Sequence, residues 1–117
     1  MGSGACFCLD CQASNGGAPA YAAVHQKSDF LLEKGEPKVY WSQSETGNRI
    51  GRAFCADCGA SIYGINESRP DYLPITARAL DDNSDFKVMA LSWVSTTKPW
   101  HTLDSNIPAF EKNIPSE

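Results

Sequence analysis

Five cysteines carry most of the chemistry available to this chain. Cys6-Phe7-Cys8-Leu9-Asp10-Cys11 is a C-x-C-x2-C cluster, and Cys55-Ala56-Asp57-Cys58-Gly59 is a C-x2-C pair. Thiolates are soft donors that suit zinc. A C-x2-C loop brings two sulfurs onto one ion at about 2.3 Å while the backbone between them turns its N–H groups toward the sulfurs. Gly59 provides the left-handed backbone that such a knuckle requires. Zinc is therefore the expected cofactor, with Cys6, Cys8, Cys11, Cys55 and Cys58 as its ligands. Disulfides or buried free thiols are the alternative reading. The odd cysteine count, the clustered spacing and the lack of a secretion signal weigh against disulfides. A thioredoxin-type redox pair fits poorly, because Cys55 and Cys58 read as a β-turn rather than as a helix N-terminus.

Five thiolates do not divide evenly. A closed structural zinc site wants four ligands, and a catalytic one wants three plus an open position. Cys6, Cys8 and Cys11 can form an open three-thiolate site, which leaves Cys55 and Cys58 two ligands short. The alternative is one mixed four-thiolate site with a cysteine left over. His25 and His101 are further candidate ligands, although a single histidine is more often a packing or surface residue. Trp41, Trp93 and Trp100 read as core or as pocket walls. Asp81-Asp82 reads as a turn cap rather than as an acid–base pair.

These residues must be positioned by short elements. Turn formers recur at Asn15-Gly16-Gly17, Gly35-Glu36-Pro37, Thr46-Gly47-Asn48, Asn66-Glu67-Ser68-Arg69-Pro70 and Asp81-Asp82-Asn83. Between them lie runs with strand chemistry at 21–25, 38–42, 50–54, 61–65, 73–77 and 87–94. No long window holds an apolar stripe at helical spacing, and Ser28-Asp29-Phe30-Leu31 supports a single turn at most. Many short strands with frequent turns predict an all-β fold. The 117 residues suit one domain, 1–117, with a modest core, and the tail after Phe110, including Pro115, reads as loosely held.

Composition narrows the partners. The net charge is −4 and no run of lysine or arginine forms a basic stripe, which argues against nucleic acid or an anionic membrane as the main partner. The apolar runs are far too short to span a bilayer. Met1 to Ala5 has neither the charged flank nor the apolar stretch of a leader, so a reducing cytoplasm is the expected compartment.

Taken in order, the motifs resemble the glutathione-dependent formaldehyde-activating enzyme family, which includes centromere protein V. The resemblance runs from Cys6, Cys8 and Cys11 through Gly16-Gly17-Ala18-Pro19, Asp29-Phe30 and Gly35-Glu36-Pro37. It continues through Phe54-Cys55-Ala56-Asp57-Cys58-Gly59, Ile62-Tyr63 and Leu80-Asp81-Asp82. It ends with Trp93, Pro99-Trp100, Leu103-Asp104 and Ile107-Pro108-Ala109-Phe110. The resemblance implies an Mss4-like β-tent of short antiparallel strands with two zinc sites. It places an open, catalytic-type zinc on Cys6, Cys8 and Cys11, and a structural zinc on Cys55 and Cys58 together with a C-x-C pair from an earlier hairpin. Only five residues precede Cys6, so that hairpin is expected to be missing, and open strand edges predict a homodimer. Phe7 and Gln12 stand where the family usually has a polar and a basic residue.

What the resemblance implies for function is a carbon–sulfur lyase or synthase that joins glutathione to formaldehyde or a related small aldehyde, as in an S-hydroxymethylglutathione synthase. Arg49, Arg52, Arg69 and Arg78 are candidates for the glutathione carboxylates, although each reads as readily as a solvated strand-edge residue. The rival expectation is a non-catalytic zinc-binding module that recognises a protein or a thiol ligand.

Overall fold

The structure, a computed structural model, describes residues 2–114; Pro115 lies outside the described residues. Strands dominate and the fold is all-β. The strands are β1 Ser3–Cys6, β2 Ala20–Gln26, β3 Lys38–Gln43, β4 Arg49–Phe54, β5 Ser61–Asn66, β6 Tyr72–Thr76 and β7 Ala90–Ser92, and α1 Leu9–Ser14 is the α-helix. No helix among the described residues is long and apolar enough to cross a membrane. The chain forms two compact units, Ala23–Ser84 and Gly2–Ala22 with the chain from Asp85 onward.

In the Ala23–Ser84 unit, β3, β4, β5 and β6 pair in that order as an antiparallel meander. Their alternation is the reason. Leu73 and Ile75 on β6 face inward two residues apart and, with Ala53, form the buried apolar residues of this unit. Trp41 lies opposite Gly51 in the β3–β4 register, and a Cβ on Gly51 would come within 2.9 Å of both the Trp41 ring and Val39. Glycine there leaves the room on β4 that Val39 and Trp41 of β3 occupy. The register shifts between Ala53 and Phe54, immediately before Cys55. Such an irregularity bends a strand and re-aims the residues that follow it.

The other unit is built on a parallel pair. β1 runs beside β7, with Gly4 opposite Ala90, Ala5 opposite Leu91 and Cys6 opposite Ser92. The strands approach so closely that a Cβ on Gly4 would meet the Ala90 carbonyl oxygen at 2.7 Å. Ala5, Phe7 and Leu91 form its buried core, flanked by Val88, Val94 and Ile107. Among the described residues no large side chain is fully buried in either unit. Cores this thin contribute little on their own, and small domains of this kind usually rely on a metal or another staple.

Five expected strands match β2 to β6 closely. The sixth, expected over 87–94, contracts to Ala90–Ser92 because Trp93 adopts a left-handed backbone (φ 58°) that ends the strand. The antiparallel expectation holds for β3 to β6, whereas β1 and β7 are parallel. β1 and α1 were not expected, since a Gly/Ser-rich tetrapeptide and a six-residue helix have no periodicity to read. The tail is better held than its composition suggests. Trp93 N–H donates to Lys112 O at 2.9 Å, Val94 N–H to Phe110 O at 3.1 Å, and the Trp93 indole to Asn113 Oδ1 at 2.8 Å.

Candidate metal centre

Cys6 closes β1, Cys8 is the N-cap of α1, and Cys11 lies in its first turn. Cys8 keeps an extended backbone (φ −60°, ψ 155°), and its sulfur accepts the Cys11 N–H at 3.3 Å. This is the N–H-to-sulfur contact expected of a C-x2-C knuckle, here used also as a helix cap. The three sulfurs lie within 4.8 Å of one another. Tetrahedral zinc with Zn–S of about 2.3 Å would place its sulfurs roughly 3.8 Å apart, a spacing that falls inside this limit.

Electrostatics favour a cation here. The Cys11 and Cys8 thiols donate to the Cys6 sulfur and hold its pKa far below the ordinary thiol value, against the opposing effect of burial. Cys11 is pushed up, because its proton is committed to Cys6 and Cys8 and because it is buried. Cys8 is also raised. The Cys11 contact lowers it, but donation to Cys6, burial and the nearby Cys6 charge outweigh that contact. The three sulfurs thus share hydrogen bonds among themselves, a donor set that suits a soft cation in place of the shared protons.

The residue between the first two cysteines is fixed on every side. Phe7 is buried in the core, and its N–H donates to Ser92 O at 3.0 Å. Its carbonyl accepts the Gln12 Nε2 at 2.7 Å and the Thr96 hydroxyl at 2.8 Å. Gln12 Nε2 also donates to Thr96 O at 3.0 Å. Facing two carbonyls, the Gln12 side chain must present its NH2 group, which settles the amide orientation. Gln12 is the buried polar residue of the described chain. It was noted in the sequence only for not being basic. Thr96, 84 residues away from Gln12 in the chain, gave no signal at all.

Cys55 and Cys58 lie on the turn from β4 to β5. The N–H groups of Cys58 and Asp57 point at the Cys55 sulfur and lower its pKa. Gly59 has the left-handed backbone expected (φ 79°), and its N–H donates to Cys55 O at 2.8 Å. Cys58 is exposed. No third Cys, His, Asp or Glu joins this pair among the described residues.

The histidines serve elsewhere. His25 Nδ1 lies 3.0 Å from Ala23 O. His101 Nδ1 accepts the Lys98 N–H at 2.9 Å, which leaves Nε2 as the donor to Gly17 O at 2.7 Å. Its ring also meets Phe7 edge-on at 5.0 Å. A pocket of about 460 Å³ opens beside them, walled by Phe7, Gly17, Pro19, Tyr21, Trp100 and His101, and its lining carries no Lys, Arg, Asp or Glu. Within the Ala23–Ser84 unit, Arg49 pairs with Glu67 at 3.2 Å and covers the Trp41 ring, Arg52 donates to Ser42, and Arg69 covers Tyr72. Asp82 accepts the Ser84 N–H and hydroxyl, a turn cap as expected.

Compared with known proteins, residues 1–96 match the family model described as glutathione-dependent formaldehyde-activating enzyme. No curated protein matches the chain significantly.

Proposed function

The chain belongs to the glutathione-dependent formaldehyde-activating enzyme family, and on that premise we propose that it is a cytoplasmic, zinc-dependent carbon–sulfur lyase or synthase. Its substrates are glutathione adducts of formaldehyde or a related small aldehyde. Residues 1–117 act as one zinc-binding domain of the Mss4-like type. The observation that carries this reading is the convergence of Cys6, Cys8 and Cys11 within 4.8 Å in a chain of this family.

In this reading Cys6, Cys8 and Cys11 hold the zinc. When bound there, zinc would supply a site that lowers the pKa of an incoming thiol, a role suited to a metal whose Lewis acidity three thiolates already weaken. The reaction itself is a balanced addition. The glutathione sulfur attacks the carbonyl carbon, a carbon–sulfur bond forms, and the carbonyl π pair moves to oxygen. That oxygen takes up the proton released by the thiol, giving S-hydroxymethylglutathione; the lyase direction reverses each change. The chain orients the cluster through β1, the Cys8 cap and the fixed Phe7 backbone.

The test is formation of S-hydroxymethylglutathione followed with and without the zinc-loaded protein. A rate that rises with protein concentration and collapses in Cys11→Ser supports the enzyme. Equal rates at every protein concentration reject it for this aldehyde.

A second reading, a non-catalytic zinc-binding module for a protein or thiol ligand, is favoured by the neutral lining of the Phe7–Trp100 pocket. Glutathione carries two carboxylates, and that lining offers them no cation. Zinc uptake without any rate enhancement would select this reading.

A further inference from the structure

We infer that Gln12 and Thr96 are positioning residues for the Cys6–Cys8–Cys11 metal centre, which they hold in its binding shape before any ion arrives. The inference rests on the proposed metal-binding role of those three cysteines and assigns the groups outside the ligands that tune it.

The argument starts from the Phe7 peptide. In a C-x-C segment the backbone between the two cysteines decides whether both sulfurs face the same way, and a single rotation there separates them. Every group of Phe7 is tied down. Its side chain is buried with Ala5 and Leu91, its N–H donates to Ser92 O at 3.0 Å, and its carbonyl accepts from two separate donors. Gln12 Nε2 reaches that carbonyl at 2.7 Å from the residue directly after Cys11. Thr96 Oγ1 reaches it at 2.8 Å from the segment that follows β7. Gln12 then closes the loop by donating to Thr96 O at 3.0 Å. One side chain therefore links the backbone before Cys8 to the helix turn that carries Cys11 and to a distant segment of the chain.

The distant segment is itself strained into place. Trp93 is the non-glycine residue with a positive φ (58°) among those described. That conformation is costly for a bulky side chain and persists only when its surroundings over-determine it. Here Trp93 N–H donates to Lys112 O at 2.9 Å and Thr96 N–H donates to Trp93 O at 3.2 Å, while the one Thr96 hydroxyl proton is shared between Phe7 O at 2.8 Å and Trp93 O at 3.0 Å. The turn swings Thr96 back onto the cysteine loop. The Thr96 hydroxyl and the buried Gln12 amide thus converge on the Phe7 carbonyl. Burying an amide is unfavourable unless its donors are satisfied, and Gln12 divides its two between Phe7 O and Thr96 O.

The expected consequence is pre-organisation. Outer-shell partners of metal ligands typically change affinity by about 10–100-fold when removed. Gln12→Met keeps the volume and removes both donors; Thr96→Val keeps the shape and removes the hydroxyl; Thr96→Ser keeps the hydroxyl. Zinc affinity is measured by competition with a chromophoric chelator, at a temperature where circular dichroism shows each variant folded. The cobalt-substituted form is followed in parallel by its thiolate charge-transfer band. Gln12→Met and Thr96→Val are expected to bind about 10–100-fold more weakly, with the cobalt band unchanged at saturation, while Thr96→Ser binds like the unmodified protein. Because both residues act on one carbonyl, the double variant should lose less than the product of the two single losses. Unchanged affinity in folded Gln12→Met and Thr96→Val would overturn the inference, since a merely structural role would lower the unfolding temperature alone. Should Gln12→Met fail to fold, the contrast between Thr96→Val and Thr96→Ser decides. Failure of the underlying metal reading looks different: the unmodified protein would then take up no more zinc than Cys11→Ser.

Discussion

The two C-x2-C knuckles of this chain share a local design and differ in everything around it. At Cys8 and Cys11 the second cysteine donates its N–H to the first sulfur, and at Cys55 and Cys58 two backbone N–H groups do the same. Both are therefore self-contained turns that pair two sulfurs. Only the first gains a third thiol, because β1 is laid beside β7 and ends on Cys6. The second emerges from a register shift in β4 onto a surface turn, with Cys58 exposed and no further donor gathered among the described residues. Four residues of sequence make a knuckle, whereas the three-thiol cluster adds a cysteine from the strand that leads into it.

The sharpest way to break this contrast is to remove one sulfur from each region. Cys11→Ser should abolish zinc uptake at the three-thiol cluster, a loss beyond the ~100-fold that an outer-shell change produces. Cys58→Ser should leave the zinc content of that cluster unchanged. Elemental analysis of both purified variants checks this, and equal losses would show that the two regions share an ion.

The next largest effect concerns the core under the cluster. Phe7→Ala deletes a buried ring at the centre of the β1–β7 unit and should cost about 3–5 kcal/mol in denaturant unfolding. Tyr40→Ala on β3, where the ring is 64% exposed, should stay within about 0.5 kcal/mol. Comparable costs would show that burial of Phe7 adds little to the stability of the unit that carries the three thiols.

The two lowered thiol pKa values have causes of different range, and pH separates them. A lowered pKa leaves more thiolate as pH falls, so both Cys6 and Cys55 in metal-free protein should alkylate at a pH below the ordinary thiol range of about 8.5. In Cys8→Ala/Cys11→Ala, Cys6 loses its donors and its alkylation profile should move up toward the ordinary value. The Cys55 profile should not move, since its donors, the Cys58 and Asp57 N–H groups and the Cys58 thiol, all lie in its own loop. Peptide mass spectrometry after alkylation across a pH series reads both sites at once.

The smallest expected effect is at the exposed knuckle itself. Gly59→Ala puts a Cβ on a left-handed backbone and should destabilise by about 1–2 kcal/mol, visible as a lower denaturation midpoint with the zinc content of the three-thiol cluster intact.

Much of this was legible without coordinates. Strands β2 to β6 announce themselves through alternation and turn residues, and Leu73 and Ile75 two apart are a plain example. The C-x2-C spacing and Gly59 define the knuckles, because their geometry is satisfied within four or five residues. Cys6, Cys8 and Cys11 were also identifiable as one cluster, being near neighbours in the chain. What a short window cannot contain is any contact whose partner is remote. β1 has no strand pattern of its own and exists through pairing with β7. α1 has no apolar stripe and starts where the Cys8 sulfur caps it. Gln12 looked like an ordinary polar residue until its amide met Phe7 and Thr96, and the left-handed Trp93 that presents Thr96 violates the preference of its own side chain. The sequence by itself determined which sulfurs pair locally, since a tight turn is a matter of adjacent dihedrals. Only the tertiary structure decided what holds the Phe7 peptide between Cys6 and Cys8, since the Thr96 that meets its carbonyl lies 84 residues from Gln12 in the chain.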